Sequence, residues 1–304
     1  MAINCANDDV DLLALEDLKT ELYLGIKQGG LYLNGLNTMP PAHREAGVRI
    51  AQSIKPRNSA GIQALDGKIV VAGIGPSGSK KVWNEIPALA REDHAIAKNV
   101  KWLNLCRSSV DAVDMSDPGN SYWTTLVPED IAATNFTAVQ VQVLWIMTGA
   151  QVAGVFPDRA ETIKTAIEGL LTIAKTTFPN AVLAFLCSGN YNGYSVPSVE
   201  PERYEMQFAI KWVIETQLNG GLNYHAPWGP VISPHLSWAF SPWTNGIVPR
   251  LTDGFTWLCP DDTDDGNHPN TVGAQKIGRR LLHQWKNDPL AEPWIMRIHQ
   301  KRPK

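Results

Sequence analysis

Short continuous apolar runs alternate along this chain with segments of helical period, and that alternation limits the possible folds more than any other feature. Lys68-Ile-Val-Val-Ala72, Val100 to Cys106, Val139 to Met147 and Ala181 to Cys187 are the apolar runs, and Lys80 to Arg91 and Arg159 to Thr176 are the helical ones. A strand that is apolar at every position, rather than at every second one, is buried on both faces, as happens in a parallel sheet covered by helices. The expected fold is α/β: a three-layer α/β/α sandwich with a mainly parallel sheet. Two further helices are expected, from Tyr204 to Leu218 and from about Asn270 to Trp285, the second with Ile277, Leu281 and Trp285 at four-residue steps.

The rest of the chain carries weaker patterns. Residues 1–66 contain Gly29-Gly30, Pro40-Pro41 and few strand signals, and are expected to form an irregular N-terminal extension packed on a main domain of residues 67–304. Between Asn219 and Leu258, Trp228, Trp238, Trp243 and Trp257 sit among five prolines without a period. A long loop of this kind inside a compact domain is usually functional.

Charge and composition exclude several classes of partner. A net charge of -3 and a pI near 6.2 provide no basic field for a phosphate backbone, so nucleic acid is not an expected partner. No run approaches the roughly 18 apolar residues of a membrane span, so no membrane is expected either. Cys5, Cys106, Cys187 and Cys259 are far apart, which argues against a zinc or dithiol redox site. One disulfide is compatible with them, while Cys106 and Cys187 end apolar runs as buried thiols would. The N-terminus, Met-Ala-Ile-Asn followed by acidic residues, has no signal-peptide pattern. A secreted or periplasmic location, reached with a leader since cleaved off, is nevertheless expected over a cytoplasmic one.

The first candidate site follows the first strand, at Gly73-Ile-Gly-Pro-Ser-Gly78. Ligands of open parallel sheets gather past the carboxyl ends of strands. Three meanings compete. Gly73, Gly75 and Gly78 satisfy the G-x-G-x-x-G dinucleotide pattern, with Arg107 at the end of the second strand as a partner for the 2′-phosphate of NADP. Ser77 can instead be a nucleophile at the strand-to-helix turn. Thirdly, Ser77 or Ser79 can be a plain N-cap of a helix beginning near Ser79 or Lys80.

The second candidate site is Asp264-Asp-Gly-Asn-His-Pro269. A general base needs a neutral imidazole whose second nitrogen is hydrogen-bonded to a group that fixes its tautomer, and Asp265, three residues before His268 on a tight turn, can do this locally. Pro269 favours an extended His268, and Asn270 or Thr271 can cap the helix behind it. A calcium loop fails, because Thr263 and Val272 stand where carboxylate ligands belong. An acidic surface turn with a chance histidine is the remaining alternative.

With a serine after the first strand and Asp-x-x-His before the last helix, the chain resembles the SGNH (GDSL-like) hydrolases. Gly75-Pro-Ser77 stands where that family has Gly-Asp-Ser, and Asp265-Gly-Asn-His268 matches its last block. Gly29 to Tyr32, Asn37 to His43, Tyr122-Trp123, Val139 to Trp145, Lys211 to Asn219 and Ala226 to Gly229 are similar to a bacterial SGNH-like branch whose serine stands in a Gly-Met-Ser-Asn context. The resemblance implies a Ser77-His268-Asp265 triad acting on an ester without metal or cofactor. Two family blocks depart from the pattern. Arg107-Ser-Ser109 lacks the usual glycine, and Trp145 to Gly149 lacks the asparagine that donates to the oxyanion. Losing one such side-chain donor costs on the order of 3 kcal/mol, or about a hundredfold in rate. The backbone amides of Ser77 and of Ser108 or Ser109 are the expected oxyanion donors, with Asn190 and Asn192 as replacements for the missing carboxamide.

The expected function is therefore a serine esterase, and the tryptophan-rich stretch, with Trp228, Trp238 and Trp243 as candidate stacking platforms, points to carbohydrate O-deacetylation. A small-molecule or carbohydrate ester is the expected partner. The alternatives are a weak or inactive SGNH-fold carbohydrate-binding protein and, behind it, an NADP-binding protein.

Overall fold

The computed structural model describes residues 2–297; Met1 and residues 298–304, at the two ends of the expected division, lie outside the described residues. Five strands form the central sheet: β1 (Ile69–Ile74), β2 (Val100–Asn104), β3 (Val141–Met147), β4 (Leu183–Cys187) and β5 (His235–Trp238). Their spatial order is β2-β1-β3-β4-β5, and every pairing is parallel. Five principal helices accompany them: α1 (Pro41–Ser53), α2 (Ser77–Glu92), α3 (Asp158–Thr177), α4 (Glu202–Leu218) and α5 (Thr271–Asn287). α2 packs on α5 and α3 on α4, giving the α/β sandwich that the apolar runs require.

Every residue of β1, β3 and β4 is buried, which is why these segments carry no polar alternation. α2 is fastened to the sheet by Trp83, whose ring stacks on Trp145 of β3 at 5.0 Å and 16° and whose Nε1 donates to Leu103 O at 2.9 Å. The indole reaches this place because position 73 is glycine: a Cβ there would lie 2.4 Å from the Trp83 ring. Truncating so large a buried side chain costs about 3–5 kcal/mol. On α5, Ile277, Leu281 and Trp285 are buried, as their spacing predicts.

Three local expectations are corrected. α2 begins at Ser77 itself, with Pro76 at the cap position and no side-chain cap bond, so neither Ser77 nor Ser79 is an N-cap. The stretch 219–258 contains strand β5, whose His-Leu-Ser-Trp sequence is buried at all four positions. The segment before residue 67 contains the three-turn helix α1, which buries small or polar residues, His43, Gly47 and Ala51, instead of a stripe of large apolar ones. α1 lies close along β5: a Cβ on Gly47 would come within 2.7 Å of His235, and the His43 and His235 rings stack at 3.9 Å. Leu15, Leu18, Tyr23 and Tyr32 join the same apolar cluster as the sheet.

Cys5 and Cys259 form a disulfide that ties the N-terminal segment to the loop preceding α5. Cys106 and Cys187 are free and buried. No helix among the described residues is long and apolar enough to cross a membrane.

Candidate active site

The turn after β1 is built for close approach. Gly75 adopts φ 149°, and a Cβ on it would fall 2.2 Å from the Met147 carbonyl oxygen at the end of β3. The chain therefore passes from β1, an interior strand of the sheet, through a short turn into α2, and Ser77 is the first helical residue. Among the described residues the amides of Ser77, Gly78 and Ser79 have no backbone partner, since the first such bond of the helix runs from Lys80 N to Pro76 O. The positive end of the helix is thus open beside the Ser77 hydroxyl.

The loop before α5 folds back onto this point. Gly266 adopts φ 63° and packs against the Tyr194 backbone so tightly that a Cβ would lie 2.5 Å from it. Thr263 N donates to His268 O at 2.8 Å, and the Asn270 side chain accepts from the amides of Val272 and Gly273, capping α5. This stiff turn brings His268 Nε2 to 2.6 Å from Ser77 Oγ, across 191 residues of sequence. His268 Nδ1 lies 2.7 Å from Asp265 Oδ2. Asp265 Oδ1 accepts from the Thr263 hydroxyl at 2.7 Å and from the amides of Asn267 and His268 at 2.9 and 3.0 Å. Burial alone would raise the Asp265 carboxyl, but the bonds from Thr263, Asn267 and His268 together hold it well below its ordinary value. A carboxylate so held keeps the Nδ1 proton and leaves Nε2 as the acceptor facing Ser77. The Ser79 hydroxyl is turned the other way, donating to Met147 O in the interior.

Ser77 and His268 open on a cavity of about 340 Å³, also lined by Ser109, Asn190 and Asn192. Of the expected oxyanion donors, Ser109 thus faces the cavity, at a left-handed φ of 60°, and Ser108 is not among its walls. The two asparagines line the cavity with spent donors. Asn190 Nδ2 donates to Tyr191 O and Asp262 Oδ1, and Asn192 Nδ2 to Tyr191 O and Asn267 O. A carboxamide has two N–H groups, so neither side chain keeps one for an oxyanion, contrary to the expectation from sequence.

The tryptophans are also corrected. Trp238 and Trp243 are buried, with Nε1 donating to Leu31 O at 2.7 Å and to Glu200 at 3.0 Å, and neither lines this cavity. Trp228 is 68% exposed, but it stands with Tyr224 and His225 on a different hollow of about 830 Å³ against α1. The nucleotide pattern likewise has other uses: Gly73 admits Trp83, Gly78 faces Pro269, and Arg107 is paired with Asp130.

Among the wall residues that were not foreseen are Asp111, Asp114, Gln151 and Arg203. Nothing in their local sequence separates them from solvated surface charges or polar loop residues. Behind the wall, burial pushes Asp262 up to about 8 and Glu200 up to about 7.

Against family models and against curated proteins, the chain matches none. Among solved structures it is similar to a family two carbohydrate esterase from Clostridium thermocellum in complex with cellohexaose, at 14% identity and a TM-score of 0.42, over 72% of this chain and 63% of that one. It is also similar to a carbohydrate esterase family 3 structure from Talaromyces cellulolyticus, at 16% identity and a TM-score of 0.44, over 72% of this chain and 99% of that one.

Proposed function

We propose that this protein is a serine esterase in which Ser77 is the nucleophile, His268 the general base and acid, and Asp265 the group that orients His268. The observation that carries the reading is the unbroken chain of contacts from Ser77 Oγ through both nitrogens of His268 to Asp265, at 2.6 and 2.7 Å. A helix cap needs no such relay, and a surface turn would not present its histidine to a serine 191 residues away.

Ser77 Oγ attacks the ester carbonyl as its proton passes to His268 Nε2. The imidazolium is stabilised by the Asp265 carboxylate. The oxyanion forms at the open start of α2, where the Ser77 amide donates, with the Ser109 amide across the cavity as the second donor. Collapse expels the alcohol, which takes the proton back from His268. Water then attacks the acyl-enzyme, with His268 again as base, and releases the acid. With both asparagine carboxamides engaged elsewhere, the oxyanion relies on backbone donors. A side-chain donor is typically worth about a hundredfold in kcat, and this enzyme works without one.

We assign the substrate to O-acylated carbohydrates, with acetyl as the acyl group. The cavity, about 340 Å³, is of a size for one small ligand. Its walls carry carboxylates, a guanidinium and carboxamides suited to hydroxyl groups.

Labelling by a fluorophosphonate tests the nucleophile. We expect labelling of the native protein and of Ser79→Ala, and none of Ser77→Ala or His268→Ala. Labelling that survives Ser77→Ala removes Ser77 from the reaction. A panel of short acyl esters and acetylated sugars, with Ser77→Ala as control, then defines the substrate.

A further inference from the structure

Arg203 stands at the start of α4 and faces the cavity that Ser77 and His268 share. Its Nε donates to Asn192 Oδ1, one terminal nitrogen donates to Asn267 Oδ1 at 3.3 Å, and the other contacts Met206 Sδ at 3.6 Å. A guanidinium has five N–H groups and stays charged at any pH a protein tolerates. These contacts occupy three of the five, and one N–H remains on each terminal nitrogen. None of the partners is a carboxylate. The nearby Glu200 is committed to the amides of Asn192 and Tyr204 and to the Trp243 indole. Among the described residues Arg203 makes no ion pair, unlike Arg107, Arg159 and Arg250. Glu200 and Glu202 act on the guanidinium only from beyond hydrogen-bond distance, so a partly buried cation keeps N–H groups that no carboxylate occupies and that an incoming anion can take.

The position of the guanidinium tells which part of an ester would meet it. Its bond to Asn267 places it beside the residue that precedes His268. In acyl transfer the leaving alcohol takes its proton from His268, so the alcohol half of the ester occupies that side of the cavity. The cavity also has anionic wall groups, Asp111 and Asp114. Asp111 Oδ1 accepts from the amides of Val113 and Asp114, and Asp114 Oδ2 from the amide of Asp111. Their remaining lone pairs suit hydroxyl donors.

We propose that Arg203 receives a carboxylate on the alcohol half of the substrate, so that the preferred ester is an O-acylated acidic sugar, such as a uronic acid, over a neutral one. This rests on the esterase reading of Ser77 and His268. One free N–H on each terminal nitrogen is what a carboxylate needs to be met by both of its oxygens, a bidentate arrangement that a lysine does not reproduce.

The test compares acetate release from an O-acetylated methyl glucuronoside and from the corresponding methyl glucoside. For native protein kcat/KM should favour the uronoside by about 10- to 100-fold, the usual value of a charge-assisted hydrogen bond. Arg203→Gln should bring that ratio near one, and Arg203→Lys should restore part of it. The ratio is the readout because Arg203 also holds Asn267; a displaced His268 lowers both rates alike and leaves their quotient unchanged. A native ratio of one or less, or a preference that survives Arg203→Gln, overturns the assignment. So does a preference for a carboxylate on the acyl half, measured with hemisuccinate against acetate esters. Should neither sugar ester be hydrolysed, fluorophosphonate labelling decides the esterase reading separately, and calorimetric titration of the deacetylated glycosides decides on Arg203. Binding of the uronoside alone, lost in Arg203→Gln, upholds the carboxylate site, and equal or absent binding refutes it.

Discussion

Replacing Asp265 by asparagine isolates the tautomer of His268. The two carboxylate oxygens have unequal duties: Oδ1 receives three donors, the Thr263 hydroxyl and the amides of Asn267 and His268, while Oδ2 receives His268 Nδ1 alone. An asparagine has one oxygen to offer. Setting its NH2 at the Oδ1 position forfeits three hydrogen bonds, and setting it at the Oδ2 position forfeits one. At about 1 kcal/mol per bond the second arrangement wins by about 2 kcal/mol. The NH2 group then faces Nδ1, which must give up its proton and accept. The proton moves to Nε2, and His268 donates to Ser77 instead of accepting from it. Loss of the correct tautomer in a serine triad lowers kcat by about four orders of magnitude. Stability should fall by only about 1 kcal/mol, because the turn keeps its three bonds, and for a chain of this length that is a drop of about 2 °C in Tm. The assay is the second-order rate of fluorophosphonate inactivation at pH 7.5, read beside the melting curve. A variant that reacts within tenfold of the native rate would show that Asp265 does not govern the proton on His268.

Two further outcomes follow from buried groups and from the disulfide. Asp262 is raised from 3.8 to about 8 by burial, so the native state binds its proton more tightly than the unfolded chain does. That contribution to stability is fully present below pH 4 and lost as pH rises towards 8, with a slope of up to about 1.4 kcal/mol per pH unit. Urea unfolding should find Asp262→Asn gaining on the native protein between pH 5 and pH 8; parallel stability curves would contradict the raised value. Cys5 and Cys259 are 254 residues apart, and closing so long a loop is worth about 5 kcal/mol in the chain-entropy model. Reduction, or Cys5→Ser, should lower Tm by about 8 °C, and reductant should have no further effect on the variant; an unchanged Tm on reduction would show the bond to be energetically silent.

The sheet was legible because its strands are buried on both faces and so consist of unbroken apolar residues. Asp265 and His268 were legible because both lie on one tight turn, where sequence spacing is spatial spacing. α1 escaped because its contact with β5 is made through Gly47 and Ala51, which allow close approach but carry no amphipathic signal. β5 escaped because the buried polar residues His235 and Ser237 interrupt its apolar run, and His235 Nε2 meets its partner, the His43 carbonyl, 192 residues away in sequence. The tryptophans misled for a related reason. An indole is equally suited to a cleft and to a core, and Trp238 and Trp243 are settled in the core by Leu31 and Glu200, neither of which a local pattern connects to them. Arg203 lies between Glu202 and Glu205 and looks, in sequence, like one member of a solvated charged helix start.

On the esterase reading proposed above, that hidden arginine bears on how a triad with a reduced oxyanion hole would still be selective. On that reading, backbone donors at Ser77 and Ser109 would supply the transition state with less stabilisation than a hole completed by a carboxamide, and no contact remote from the carbonyl replaces that term directly. What a remote contact does supply is placement. A carboxylate clamped by Arg203 would fix the alcohol half of the ester beside His268 and, through it, the carbonyl over the start of α2, so that less entropy would be lost on reaching the transition state. The consequence is measurable in the same kinetic experiment. If the clamp acts by placement, the acidic sugar should differ from the neutral one in kcat as well as in KM; a difference confined to KM would mean that Arg203 binds ground state and transition state equally and contributes affinity alone.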